Sequence, residues 1–276
     1  MSIPELVIRA IRARPVVAPL PRPTRTASGD VLDAPLLLID VLTDVGVTGR
    51  AYAFAYTPLT LRSLAQFVRD IAPELIGKSV SPRARMRQME KRLKLVGWQG
   101  LAGMVVGTLD MALWDALARA MDVPLAVLLG GEIRPLPAYD SFGMLDPLTD
   151  LPWLEAPVAS GFKAIKIKLG AGEVESDVAF VAAVRRTIGD GVRLMLDFNQ
   201  SQSTVGAVER IRRLQDFDLT WVEEPVAAED LVGHRAVRER VRPVPIQTGN
   251  TWSALPVRMM PSACHIPADP FPSPLD

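Results

Sequence analysis

The hydrophobic and polar positions of this chain follow three successive rhythms. From Leu6 to Val17 apolar residues alternate with arginines, and Pro35 to Leu42 is rich in strong β-formers, which predicts extended strands with one buried face. Thr43, Asp44, Val45 and Gly46 read as a turn into a further strand ending near Phe54, and Pro19 to Thr26 reads as a Pro- and Thr-rich loop. Between Leu59 and Leu129 the period becomes helical, most clearly where Leu101, Val105, Leu109, Ala112, Leu113, Leu117 and Ala120 recur. Pro124, Gly130 and Gly131 punctuate the exit. A small antiparallel sheet followed by helices predicts an α+β first domain over residues 1–133.

A third rhythm begins after Arg134. Short β-like runs at Leu136 to Ser141, Ala164 to Leu169, Leu194 to Phe198, Thr220 to Glu224 and Val244 to Thr248 alternate with helical patterns. Their repeat of roughly 25 to 30 residues is that of βα units in a parallel barrel or a doubly wound sheet. The second domain is expected over residues 134–252, with about five strands, and residues 253–276 form a Pro-rich irregular tail with neither period. A closed barrel of ~250 residues would need about three more units, so the expected architecture is an incomplete α/β (TIM-type) barrel. A reading-frame shift or gene truncation would produce such a loss of pattern. Open sheet edges invite association, so a homo-oligomer is an expected state.

Charge and composition narrow the partners. Lys plus Arg equals Asp plus Glu at 31 each, so no global field draws the chain to nucleic acid or to an anionic membrane, and a small-molecule substrate is favoured. Cys264 is the single cysteine, and His234 and His265 are the two histidines, which excludes an intrachain disulfide and a structural zinc cluster. No stretch of ~18 continuous apolar residues predicts a membrane span. Arg9, Arg12 and Arg14 would suit a transit peptide, but their alternation with apolar residues and the presence of Glu5 fit an edge strand better, and the expected location is the cytoplasm.

Candidate chemistry lies on the strands of the second domain. In Ala164, Ile165, Lys166, Ile167, Lys168, the period of two places both lysines on one face and both isoleucines on the other. Crowding and desolvation inside a barrel would favour the neutral amine of a general base; a solvated edge-strand face is the plainer alternative. One unit later Asp197 and Asn199 share a face at a strand end, and one unit after that Glu223, Glu224 and Pro225 close another strand. Carboxylates at the C-terminal ends of successive parallel strands converge on a barrel mouth and suit a hard cation such as Mg²⁺, although helix capping would also place them there.

In this order and spacing, the motifs resemble those of the mandelate racemase / muconate lactonizing enzyme family of the enolase superfamily, closest to its mandelate racemase branch. The resemblance runs to about Trp252 and includes Ala55 to Pro58, Asp110 to Ala116 and Ala138 to Ser141. It implies that the first domain is a capping domain, that Asp197 and Glu223 bind Mg²⁺, and that Lys168 removes the proton α to a carboxylate. Lys166 would steady that carboxylate, Ser141 and Tyr56 would touch substrate, and Asn199 would stand beside substrate or orient a neighbouring ligand. Tyr56 reads equally as a packed aromatic.

The chain departs from the family where its third metal ligand, a glutamate, is expected. Asn250 stands there, and an amide oxygen can bind Mg²⁺ but brings no charge. The family's opposite-face histidine and later acid have no counterpart after Trp252; His265 lies in the Pro-rich tail and His234 reads as a surface or capping residue. Racemisation needs proton transfer on two faces, so the expected function is an impaired mandelate-racemase-like enzyme acting on a 2-hydroxy carboxylate. A non-catalytic remnant is one alternative, and an acid-sugar dehydratase or muconate-type cycloisomerase is another.

Overall fold

The computed structural model describes residues 5–248; Asn250, Cys264, His265 and the Pro-rich tail lie outside the described residues. The chain divides into two compact units, one running to Pro21 and resuming over Leu32–Pro135, the other comprising Arg22–Val31 and the chain from Leu136 onward.

The first unit is built on an antiparallel sheet of β1 (Ile8–Thr26), β2 (Gly29–Thr43) and β3 (Thr48–Phe54), in that order. Alternation along β2 buries Leu37, Ile39 and Val41, and β3 follows with Leu38 opposite Tyr52 and Asp40 opposite Arg50. The segment from Pro19 to Thr26 is strand, not the loop its prolines suggest. β1 lies at the sheet's edge, and Pro15, Pro19, Pro21 and Pro23 share the same parity, so the missing N–H groups share one side of the strand.

Helices α1 (Pro58–Leu75), α2 (Pro82–Arg92), α3 (Leu101–Ala120) and α4 (Leu125–Leu128) complete this unit. Thr57 caps α1 by accepting a hydrogen bond from the Leu59 N–H, with Pro58 in the first turn, where its missing N–H costs nothing. Leu64 and Val68 of α1 join Val105, Leu109 and Leu113 of α3 over the sheet in one core. A buried leucine of this kind contributes about 1.5–3 kcal/mol. By length and composition α3 could cross a membrane, with a mean hydropathy of 1.4, which sequence inspection for uninterrupted apolar runs does not register. More than half of that stretch is buried within the protein, and the helix lies so close to β3 that a β-carbon at Gly49 would stand 2.0 Å from the Ala112 carbonyl oxygen.

The second unit carries a five-stranded parallel sheet: β4 (Asp140–Ser141), β5 (Ala164–Lys168), β6 (Arg193–Asp197), β7 (Leu219–Glu223) and β8 (Ile246–Gln247). Each strand lies beside its predecessor, the order of a barrel; a doubly wound sheet reverses direction at a switch point. The expected capping domain and partial barrel are therefore both present. Short α5 (Glu155–Ala159) and the longer α6 (Val174–Ile188), α7 (Thr204–Leu214) and α8 (Leu231–Arg240) provide the crossovers. Ile165, Ile167, Leu194, Leu196 and Val222 point one way and pack with Val181 and Val184 of α6, Ile211 of α7 and Val237 of α8. The opposite face of the same strands is left for chemistry.

Candidate active site

Strand register assembles that face in two rows. Ser141, Lys166, Met195 and Trp221 are successive partners across β4 to β7, and Lys168, Asp197, Glu223 and Gln247 are partners one step further along β5 to β8. The sequence spacing of Lys166, Lys168, Asp197 and Glu223 thus becomes contact, because parallel strands in matched register bring residues one βα unit apart side by side.

Asp197 is the centre of the cluster and 2% exposed. Its Oδ2 lies 2.5 Å from Lys168 Nζ and 3.7 Å from Lys166 Nζ, while Lys166 Nζ also donates to Glu223 Oε2 at 2.7 Å. Two ammonium groups thereby face two carboxylates in a shielded site, where such pairing offsets the cost of desolvation. The Lys166 ammonium does not move toward neutrality as its buried position alone would dictate. Burial is the largest single influence and lowers its pKa, but the hydrogen bond and charge of Glu223, together with Asp197 and Tyr139, outweigh it and hold the pKa above the ordinary lysine value.

Asn199 follows on a left-handed backbone, φ +44°, as do Gln200 at +65° and, after the next strand, Glu224 at +45°. Such conformations cost roughly 1–3 kcal/mol in side-chain-bearing residues and concentrate at functional sites. Asn199 donates its backbone N–H to Asp197 Oδ1 at 2.9 Å and its Nδ2 to Asp197 Oδ2 at 3.1 Å, which fixes the carboxylate. Its own Oδ1 is shielded from solvent without a hydrogen-bond partner, an acceptor available to a cation or a donor. The Ser28 hydroxyl, on the β1–β2 hairpin tip that belongs to this unit, donates to the Asn199 carbonyl.

The other expected residues take distinct places. Ser141 shares a row with Lys166, and its N–H donates to Asp140 Oδ1. Tyr56 belongs to the first unit, where it is 61% exposed, has φ +57°, and meets Phe54 edge-on at 4.9 Å. His234 is buried in the first turn of α8, not at the surface, with Nδ1 2.9 Å from the Asp230 carbonyl oxygen. Met195 and Trp221 complete this face beyond the residues expected from the sequence. Both stand two residues before a carboxylate already singled out, so strand parity alone puts them on the same face. Trp221 meets Tyr139 edge-on at 5.8 Å, and the Tyr139 ring lies 5.6 Å from Lys166 Nζ.

Asp197 and Glu223, neighbours in register on β6 and β7, are hard oxygen donors of the kind that Mg²⁺ takes. Among the described residues, no three carboxylate, imidazole or thiol side chains converge as a metal cluster.

Known proteins resemble this chain in sequence and fold. Residues 8–130 match the N-terminal domain of mandelate racemase / muconate lactonizing enzyme, and residues 153–256 match the enolase C-terminal domain-like family. An enolase from Bradyrhizobium, crystallised with magnesium and mandelic acid, is 48% identical with a TM-score of 0.87, over 91% of this chain and 70% of that one. A 3,6-anhydro-alpha-L-galactonate cycloisomerase from Streptomyces coelicolor is 33% identical over 83% of this chain and 65% of its own length. An L-talarate/galactarate dehydratase from Salmonella typhimurium is 35% identical over 56% and 39%. The chain thus spans less than two thirds of the length of these two curated relatives. Matched domains, shared fold and shared identity place the chain in the mandelate racemase / muconate lactonizing enzyme family of the enolase superfamily.

Proposed function

We propose that this chain abstracts the proton α to the carboxylate of a 2-hydroxy acid, with Lys168 as the base and Lys166 as a lasting positive charge beside the substrate carboxylate. The observation that carries this reading is the row of Lys168, Asp197 and Glu223, with Lys166 directly beneath it. An α-proton beside a carboxylate is weakly acidic, and its removal leaves two negative charges on one small fragment. The two lysines divide the work. Lys166, whose carboxylate partners hold it as an ammonium, supplies charge; Lys168, two residues along the same face and paired with Asp197 as an ammonium, must release that proton to solvent before its neutral amine accepts the α-proton. Asp197 and Glu223, with Asn250 as the third ligand, would hold Mg²⁺, which when bound supplies Lewis-acid stabilisation of the enediolate oxygens. Asn199 fixes the Asp197 carboxylate, and Ser141 and Tyr56 complete the substrate contacts in this reading.

The proton-transfer candidate Lys168 stands on β5 on the same face as Lys166, which supports removal and return of a proton from that side. The similarity to an enolase holding magnesium and mandelic acid supports an aryl 2-hydroxy carboxylate. A second reading, acid-sugar dehydration or cycloisomerisation, draws on the galactonate cycloisomerase and the galactarate dehydratase among the relatives.

The test is ¹H/²H exchange at the α-carbon of mandelate in D₂O with Mg²⁺, beside galactarate and other sugar acids, with Lys168→Ala as control. Exchange of mandelate that is lost in the control supports the first reading. Turnover of the sugar acids alone supports the second. A folded protein inert toward all of them would leave only the scaffold.

A further inference from the structure

Directly beyond Lys168 the chain makes a turn at Gly170–Ala171–Gly172 before α6, and three polar side chains, Asp177, Gln202 and Arg210, are engaged at it. Arg210, on α7, forms a buried ion pair with Asp177 on α6 and donates from Nη2 to the Gly172 carbonyl oxygen at 2.8 Å. Asp177 in turn accepts a hydrogen bond from the Gly170 backbone. Gln202, in the loop that follows Asp197, donates from Nε2 to the Gly170 carbonyl oxygen at 2.8 Å. Gly170 has φ +103°, and a β-carbon there would stand 2.9 Å from Ser201 Oγ and 3.0 Å from Gln202 Nε2, so the two loops are in close approach. The Gln202 N–H continues the chain of contacts to the Pro225 carbonyl oxygen, beyond Glu223.

An arginine–carboxylate pair withdrawn from water is costly to build, and helix stability alone does not call for one. Its free donor and acceptor both end on a single three-residue turn. We infer that Arg210, with Asp177 and Gln202, is a positioning element for Lys168: it ties the end of the lysine-bearing strand to the loops after the two carboxylate-bearing strands. A rigid guanidinium fork can hold Asp177 and the Gly172 carbonyl at once, whereas a lysine ammonium on a flexible stem reaches one of them. This inference rests on the reading of Lys168 as base, and the experiment separates the two.

Arg210→Met, Arg210→Lys and Gln202→Ala are made in the full chain; Gln202→Ala loosens the turn without disturbing the buried pair, should Arg210→Met fail to fold. Acetylation by acetic anhydride, followed by peptide mass spectrometry, reports Lys168 and Lys166 separately and needs no activity. The expected result is a several-fold faster modification of Lys168 in Arg210→Met and Gln202→Ala, with Lys166 within about twofold of the parent and Arg210→Lys in between. Where α-proton exchange is measurable, kcat falls about tenfold while KM and Mg²⁺ affinity hold, since a small misplacement of the base does not alter ground-state contacts. Equal modification of Lys168 in every folded variant would overturn the inference and leave Arg210 a stability residue. A selective change at Lys168 in a protein with no exchange activity would uphold the positioning element and reject the base.

Discussion

Lys168 Nζ stands 2.5 Å from Asp197 Oδ2, and the same oxygen accepts from Asn199 Nδ2 at 3.1 Å and faces Lys166 Nζ at 3.7 Å. One carboxylate thus serves two lysines and an amide. Substituting it by an amide removes the charge that both ammonium groups oppose. Asp197→Asn is expected to destabilise the fold by about 3 kcal/mol, the range seen when one partner of a buried pair is removed. Urea unfolding at neutral pH checks this, and an unchanged midpoint would mean that the lysines find other partners.

Metal affinity follows from the donor set. Glu223→Gln is expected to weaken Mg²⁺ binding by about tenfold, and Asn250→Glu to strengthen it by about as much, because each change alters the negative charge of the site by one. Titration calorimetry with Mg²⁺ measures both. Asn250→Glu is not expected to confer racemisation, and loss of optical rotation from enantiopure mandelate would contradict that.

The raised pKa of Lys166 has a pH signature. A basic group whose folded value exceeds its unfolded value of about 10.4 binds its proton more tightly in the folded state. The stabilisation is complete below that unfolded value and is lost as pH rises through the folded one. Thermal melts between about pH 9 and 11.5 should therefore show the protein losing stability more steeply than Lys166→Met. Parallel curves would mean that the ammonium gains nothing from Glu223.

Arg185 closes the opposite end of the same strands. Its Nη1 donates to the carbonyls of Gly189 and Val192 at 3.2 and 2.6 Å, and its Nη2 to those of Phe217 and Asp218 at 2.9 and 3.2 Å. Arg185→Met strands these acceptors and is expected to cost about 2–3 kcal/mol, read by urea unfolding, with no effect on Mg²⁺ affinity. A shift in metal affinity would show that the two ends of the sheet are coupled.

Much of this molecule is legible from pattern. The strands β5, β6 and β7 fall where short β-branched and apolar runs place them, and the parity of two that separates Lys166 from Ile167 puts the lysines beside Asp197 and Glu223. Parity also places Met195 and Trp221 on this face, two residues before Asp197 and Glu223. The prolines of β1 mislead because a proline-rich run ordinarily breaks structure, and only its place at the sheet's edge makes it tolerable. The charge of Lys166 is not legible in the sequence for a different reason. Desolvation can be inferred from a strand pattern, whereas the opposing pull of Glu223 depends on a contact 57 residues away. Asp177 and Arg210 look like ordinary polar positions on two separate helices, and only tertiary packing turns them into a buried pair.

The hairpin tip Arg22–Val31 gives the second unit a discontinuous sequence. Arg25 pairs with the buried Asp150, its carbonyl accepts from the Met144 N–H, and the Arg22 guanidinium lies 3.7 Å from the centre of the Trp153 ring. A gene fragment beginning at Leu136 would lack all three contacts and leave Asp150 without the Arg25 counter-charge. During synthesis the tip leaves the ribosome long before the residues that receive it. The barrel unit is therefore the last part of the described chain to find its full set of contacts, whatever the speed at which the first unit folds.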